Sequence, residues 1–357
     1  MKEQVRGRQF EAVQIEVTSR CIQRCVMCPR VALADRWPEL DLPWEAFQRS
    51  ARAFHRTKFV YLQGWGEPLL HPRLYDMIAL AKDAGCRVGF TSNGMLLDLL
   101  AGKRLLALDL DLLAISIAGA TRRTHESIRV GSDFPTVLDN VRRFLILKAK
   151  QRSRKPKVEI FFLMTKTNMA ELPQAVDLAA SLGVDELVAT NLDYAVTPEH
   201  DDLKAFSWKP QKSPFVWFLE EARKRAQRAG LSFRPYPLDP EEAAVCEANP
   251  TKILFISCDG WVSPCNYMGL PGRSDVPRRF GGLSLTVPRL RFGNVLDQEL
   301  LEIWESPAYR AFRRQFEERL VGNLMRALSA TVGSGSVSNQ KVPPPEPCRT
   351  CYKLYGL

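Results

Sequence analysis

The feature that most narrows what this 357-residue chain can fold into is a rhythm. Short apolar runs at 12–17, 58–63, 87–92, 112–118, 158–164 and 186–190 alternate with helical stretches at 44–55, 72–84, 95–106, 134–150 and 169–182. In the first run Val13, Ile15 and Val17 fall on one face, the period-two pattern of a strand. Pro72 suits the first position of a helix, and Gly85 and Gly183 stand where helices should stop. Regular strand–helix alternation implies parallel strands joined by right-handed crossovers. Six such units predict an α/β fold, a partial (β/α)6 barrel of the TIM type, with its chemistry on the loops after the strands. One more helix is expected at 215–229, and after about Pro235 the alternation stops.

The cysteines mark both parts. There are nine, at 21, 25, 28, 86, 246, 258, 265, 348 and 351. The first dozen residues are polar and lack the apolar core of a signal peptide, and no apolar run is long enough to span a bilayer. The expectation is a cytoplasmic protein with no membrane partner, in which nine thiols point to metal ligation rather than disulfides. The net charge of +10 gathers in two runs, 142–157 and 273–291. Such runs are usually solvated faces. The first also lacks the interleaved aromatics of single-strand binders, so no nucleic-acid partner is expected.

Cys21, Cys25 and Cys28 directly follow the first strand, in VTSRCIQRCVMCPR. A four-iron cubane takes four thiolates. Three from one short loop leave one iron open, whereas a structural zinc site closes with four protein ligands. His55 and His71 do not have finger spacing relative to this loop.

CxxxCxxC on the loop after the first strand resembles the radical SAM superfamily. The resemblance implies a 4Fe–4S cluster on Cys21, Cys25 and Cys28 whose open iron chelates S-adenosylmethionine. Reductive cleavage then gives a 5′-deoxyadenosyl radical that abstracts hydrogen from a substrate. Further residues agree over roughly 12–195. The second strand ends in Gly64-Trp65-Gly66-Glu67-Pro68, similar to the family's glycine–glutamate motif at the methionine ammonium. Glycine there suits close backbone approach to a ligand, and Glu67 offers a charge-assisted acceptor. Ser92 and Asn93 fall in Thr91-Ser92-Asn93-Gly94, similar to a run lining the SAM site. Ser116 matches a residue near the ribose or carboxylate, and Arg129 one that pairs with the carboxylate. Two positions depart from the pattern. Ala118 stands where an Asp is frequent, and Met27 where an aromatic is frequent, although a soft Met can still lie against adenine.

The last third resembles Twitch, the shorter relative of the SPASM auxiliary-cluster extension, through Cys246, Asp259 to Cys265, Phe292-Gly293-Asn294 and Cys348-x-x-Cys351. Residues 253–258 and 261–264 flank Asp259-Gly260, a hairpin signal, and helices are expected near 297–304 and 307–318. In a regular hairpin Cys258 pairs with Trp261, and Cys265 faces Leu254. Cys258 then lies about 13 Å from the level of Cys265, too far for one cubane. The ligands expected for a single auxiliary 4Fe–4S cluster are therefore Cys246, Cys265, Cys348 and Cys351. Zinc is the alternative at this site. The expected division is an extension at 1–11, the barrel at 12–235 and a small α+β auxiliary domain at 236–357, with a flexible insertion about 320–346.

The resemblance implies an enzyme whose auxiliary cluster handles electrons, served by a donor such as flavodoxin or ferredoxin. A peptide or protein substrate, as for maturases, is the leading expectation. A small-molecule dehydrogenase or cofactor-biosynthesis enzyme is the alternative. A non-catalytic iron–sulfur electron carrier is the alternative of another class. Thr190, Asn191, Asp193 and Tyr194, after the sixth strand, are candidate substrate contacts at the barrel mouth.

Overall fold

A computed structural model describes residues 8–208, 213–332 and 342–357. The six expected strands are β1 (Phe10–Ile15), β2 (Thr57–Tyr61), β3 (Arg87–Ser92), β4 (Leu112–Ile117), β5 (Lys157–Met164) and β6 (Glu186–Asn191). They lie side by side in that order, all parallel, as the crossover rule requires. A short strand, β7 (Ser232–Pro235), extends the parallel run beyond β6. It is half-exposed, so no apolar pattern announced it.

The C-terminal third continues the same sheet. β8 (Ile253–Ile256) pairs parallel with β1, from Ala12 opposite Ile253 to Ile15 opposite Ile256. β9 (Trp261–Ser263) turns back antiparallel on β8. β10 (Asp275–Phe280) and β11 (Leu283–Pro288) form a separate hairpin, and β12 (Gly293–Asn294) closes on β9. Parallel strands and auxiliary strands thus belong to one ten-stranded sheet.

Local signals explain where helices begin. Asp133 caps the helix Phe134–Lys150 by accepting from Thr136 N at 2.9 Å, Pro135 occupies its first turn, and Lys148 and Lys150 face its negative end. The helix expected from 95 starts at Leu99, because the Asp98 carboxylate takes the Ala101 N–H at 2.7 Å. Pro72 lies in a turn ahead of the helix Leu74–Asp83 rather than at its first position. Gly85 and Gly183 terminate helices at φ +75° and +78°. The helix Arg122–Ile128 was not legible in its polar sequence. The Glu171 carboxylate, 47 to 51 residues away, holds its start through Ala120 N, Thr121 N and the Thr121 and Thr124 hydroxyls.

Three expectations are corrected. The hairpin of β8 and β9 is not a two-residue turn. Ile256 faces Val262 and Phe255 faces Ser263, one residue away from the register that would set Leu254 against Cys265. Gly260 N donates to Ser257 O at 2.8 Å and Gly260 has φ +80°, the signature of a three-residue loop with a glycine bulge. The last long helix runs Pro307–Val332, through the first part of the expected insertion, while 333–341 lie outside the described residues. The run 273–291 is not a solvated face: Arg273, Arg278 and Arg289 are buried. The run 142–157 does lie at the far end of the strands, where Lys155 reaches Asp111 and Lys157 reaches Glu159 and Glu186.

Candidate active site

The loop after β1 is fixed on three sides. Arg24 N and Val26 N donate to Val130 O and Ile128 O at 2.8 and 2.9 Å, which brings the Arg129 segment against it. Glu67 N donates to Arg20 O at 2.8 Å. The Arg20 guanidinium grips Asp41 and the Leu70 carbonyl. Cys21, Cys25 and Cys28 then line one cavity of about 340 Å³ at the C-terminal ends of the strands. Asn93 Nδ2 and Arg129 Nη1 lie 3.8 and 3.9 Å from the sulfurs of Cys21 and Cys25.

Every other residue expected at the SAM site lines the same cavity: Met27, Gly64, Gly66, Glu67, Ser92, Asn93, Ser116 and Arg129. Their reasons differ in part from the sequence reading. A Cβ on Gly66 would sit 2.1 Å from Thr18 O, and one on Gly64 2.4 Å from Glu16 Cγ. The close approach that requires glycine is therefore to the chain itself, with the cysteine loop passing over the motif. Glu67 is buried and accepts three hydrogen bonds, from Ser92 Oγ (2.8 Å), Asn93 N (2.7 Å) and Leu69 N (3.2 Å). It ties the end of β2 to the end of β3, and burial raises its pKa against those bonds. Arg129 Nε is buried without a partner, as a site awaiting a carboxylate would leave it. Of the candidate substrate contacts, Asn191, Asp193 and Tyr194 line the cavity and Thr190 does not.

The second cysteine group closes around a small cavity walled by Cys246, Cys265, Cys348 and Cys351. Its four members come from three separate stretches of chain. Cys258 is not among them. It sits in the hairpin turn, buried, with its N–H on Glu16 Oε2 at 3.2 Å. Its exclusion therefore rests on the turn rather than on distance along a regular strand. Cys86 is a buried thiol donating to Phe54 O and Thr57 O. Burial pushes the Cys28 thiol up to about 11 and Cys246 and Cys265 up to about 12, and raises Cys21, Cys348 and Cys351 too. Thiols so desolvated ionise when a metal centre supplies the positive charge. Among the described residues no three His, Cys, Asp or Glu side chains converge closely enough for a single ion. Three thiols around an open cavity and four around a closed one fit clusters of several irons.

Some contacts at the site carried no signal in the sequence. Trp65, Tyr194 and Tyr267 form a corner of the larger cavity, with ring centroids 5.5 to 6.0 Å apart. Tyr267 lines both cavities, and its hydroxyl donates to Asp193. Asp193 in turn pairs at 2.9 Å with Lys353, which lines the smaller cavity. Glu16, at the end of β1, is wholly buried between Trp65 N and Cys258 N. Burial lifts its pKa to about 7. None of these contacts is local, so no spacing rule could find them.

An open parallel barrel with three thiols at its mouth, backed by a four-thiol site on the same sheet, defines the class. The chain carries a radical SAM domain, the superfamily's model matching residues 15–179, and a SPASM iron–sulfur cluster-binding domain at 246–352. Members of this family are enzymes that use a 4Fe–4S cluster and S-adenosylmethionine, with further iron–sulfur clusters in the SPASM domain. One curated relative is the tungsten-containing aldehyde ferredoxin oxidoreductase cofactor-modifying protein of Pyrococcus furiosus. It is 29% identical over 303 residues, 84% of this chain and 82% of its own. The PqqA peptide cyclase of Ruegeria pomeroyi is 25% identical over 85% of this chain and 76% of its own. Among solved structures, Streptococcus suis SuiB bound to S-adenosylmethionine shares the fold. Its TM-score is 0.62 at 16% identity, covering 85% of this chain and 68% of that one. Among the described residues no helix is long and apolar enough to cross a membrane.

Proposed function

We propose that this radical SAM enzyme is an oxidising maturase acting on a peptide or protein. Cys21, Cys25 and Cys28 would hold the reactive cluster, and Cys246, Cys265, Cys348 and Cys351 a single auxiliary cluster. When bound, the open cluster and S-adenosylmethionine supply the radical chemistry, and the closed one takes or gives an electron. The residues of the chain do the rest. Glu67, Ser92 and Asn93 set the strand ends that would cradle the methionine moiety, Arg129 would meet its carboxylate, Ser116 would lie near the ribose or carboxylate, and Met27 would lie against the adenine.

One observation carries the substrate class. Trp65 Nε1 and Asn191 Oδ1 are buried on the cavity wall with no hydrogen-bond partner. An unpaired donor and an unpaired acceptor are what a peptide group, with one C=O and one N–H, satisfies. The Tyr194 and Tyr267 hydroxyls are tied back to Pro277 O and Asp193, which leaves ring surface to the substrate. A second reading is a cofactor-type small molecule. It is favoured by the Pyrococcus relative, described as cofactor-modifying. An electron carrier would have no use for the wall around Arg129.

The test is anaerobic reconstitution with S-adenosylmethionine and a reductant such as flavodoxin or ferredoxin, first alone and then with peptides encoded beside the gene. The expected result is 5′-deoxyadenosine together with loss of a pair of hydrogens from one peptide. Turnover of a small cofactor precursor, with every peptide unchanged, would favour the second reading.

A further inference from the structure

The described buried arginines can be sorted by what meets their charge. Arg273 pairs with Asp275 at 2.9 Å, Arg289 with Asp259 at 2.9 Å and Arg319 with Glu242 at 2.9 Å. Arg313 lies over the Trp304 ring at 3.7 Å. Arg278 is different. It is 3% exposed, and among the described residues no carboxylate lies within 4.0 Å of it and no ring stacks on it. Its contacts are neutral: Nη1 donates to Pro347 O (2.9 Å) and Thr350 O (3.2 Å), and Nη2 to Met268 Sδ (3.0 Å). Its Nε, like those of Arg273 and Arg289, is buried with no hydrogen-bond partner among the described residues, so the missing carboxylate is what sets Arg278 apart. A guanidinium is a permanent cation, and burying one without a counter-ion is strongly unfavourable.

The place of Arg278 supplies the missing anion. It lines the small cavity beside Cys246, Cys265, Cys348 and Cys351, and the two carbonyls it holds belong to residues next to Cys348 and Cys351. Four thiolates around an iron–sulfur core leave a net negative charge, and that charge grows by one when the core is reduced. We propose that Arg278 is the built-in counter-charge of the auxiliary site and holds its reduction potential up. A fixed cation favours the more negative, reduced form, so the site accepts an electron more readily. The hairpin places it firmly. Tyr194 Oη donates to Pro277 O at 2.7 Å, and Arg279 N donates to Ala195 O at 2.8 Å. Both chain neighbours of Arg278 are thus bonded to consecutive residues, of which Tyr194 lines the larger cavity.

The proposal rests on the auxiliary site holding a cluster, and the experiment separates the two. In full-length chain carrying Cys21→Ala, Cys25→Ala and Cys28→Ala, only the auxiliary site contributes iron and an electron paramagnetic resonance signal. Its midpoint potential is measured by redox titration in that background, then with Arg278→Lys and with Arg278→Met added. Arg278→Met is expected to disfavour reduction at least tenfold, about 59 mV for one electron. Arg278→Lys keeps the charge and should recover most of that shift. Loss of iron in Arg278→Met with retention in Arg278→Lys also supports the counter-charge. An unchanged potential in Arg278→Met at full iron content overturns it, and so does equal damage from both substitutions. No iron in the parent variant overturns the cluster reading itself and the proposal with it.

Discussion

The two cysteine sites are built from the same thiol group and differ in almost everything around it. The first takes its three thiols from eight consecutive residues and opens onto about 340 Å³ of space with unpaired polar atoms at Trp65, Asn191 and Arg129. The second draws four thiols from stretches up to 105 residues apart and shuts them in a small cavity beside Arg278, whose charge meets no carboxylate within 4.0 Å among the described residues. An unfinished ligand set beside unpaired hydrogen-bonding groups is suited to binding and reacting. Four thiols around a small closed cavity are suited to holding a centre that passes electrons. Tyr267, which lines both, and the Asp193–Lys353 pair join the two sites.

The comparison breaks first at the cysteines. Replacing Cys21, Cys25 and Cys28 by Ala should abolish 5′-deoxyadenosine formation and leave about half the iron, if each site holds one cubane. Replacing Cys348 and Cys351 should do the reverse: S-adenosylmethionine is still cleaved, while substrate oxidation stops. Iron analysis and product chromatography on the two variants read both outcomes. If both lose all iron, the sites are not independent.

Next in size is the binding wall. Arg129→Lys keeps the charge but loses the planar fork, so S-adenosylmethionine affinity should fall about tenfold or more. Equilibrium dialysis on reconstituted protein measures this, and an unchanged affinity would remove Arg129 from the carboxylate.

The last effect, on stability rather than on binding or turnover, lies between the sites at Glu16. Its carboxyl titrates near 7 in the folded chain against 4.5 when free. Its contribution to stability is therefore complete below pH 4.5 and is lost as pH rises through 7, by about 3 kcal/mol in all. Thermal melts from pH 5 to 8 should decline more steeply for the wild type than for Glu16→Gln. Parallel profiles would place the proton elsewhere.

Much of the first site was legible because it is local. Strand ends, the CxxxCxxC loop and the glycine–glutamate turn are short-range features, and a parallel barrel brings strand ends together whatever the details. The structure adds a reason for glycine that no local pattern shows, since Gly66 makes room for the Thr18 backbone. The auxiliary set was reached through a regular hairpin that the Ser257–Gly260 turn does not form. That turn carries Cys258 to Glu16, while Cys246, Cys265, Cys348 and Cys351 wall one cavity.

By itself the sequence determined the order of strands, the three-thiol loop and which side chains could meet S-adenosylmethionine. These depend on covalent spacing and on the handedness of βα units. Only the tertiary structure decided that β8 continues the barrel sheet, that the hairpin turn sets Cys258 against Glu16, that Asp193 and Lys353 join the cavities, and that Arg278 has four thiols near it and, among the described residues, no carboxylate within 4.0 Å. Those relations link residues far apart along the chain. They are set by which buried groups must satisfy one another when the chain closes, and no local pattern records that choice.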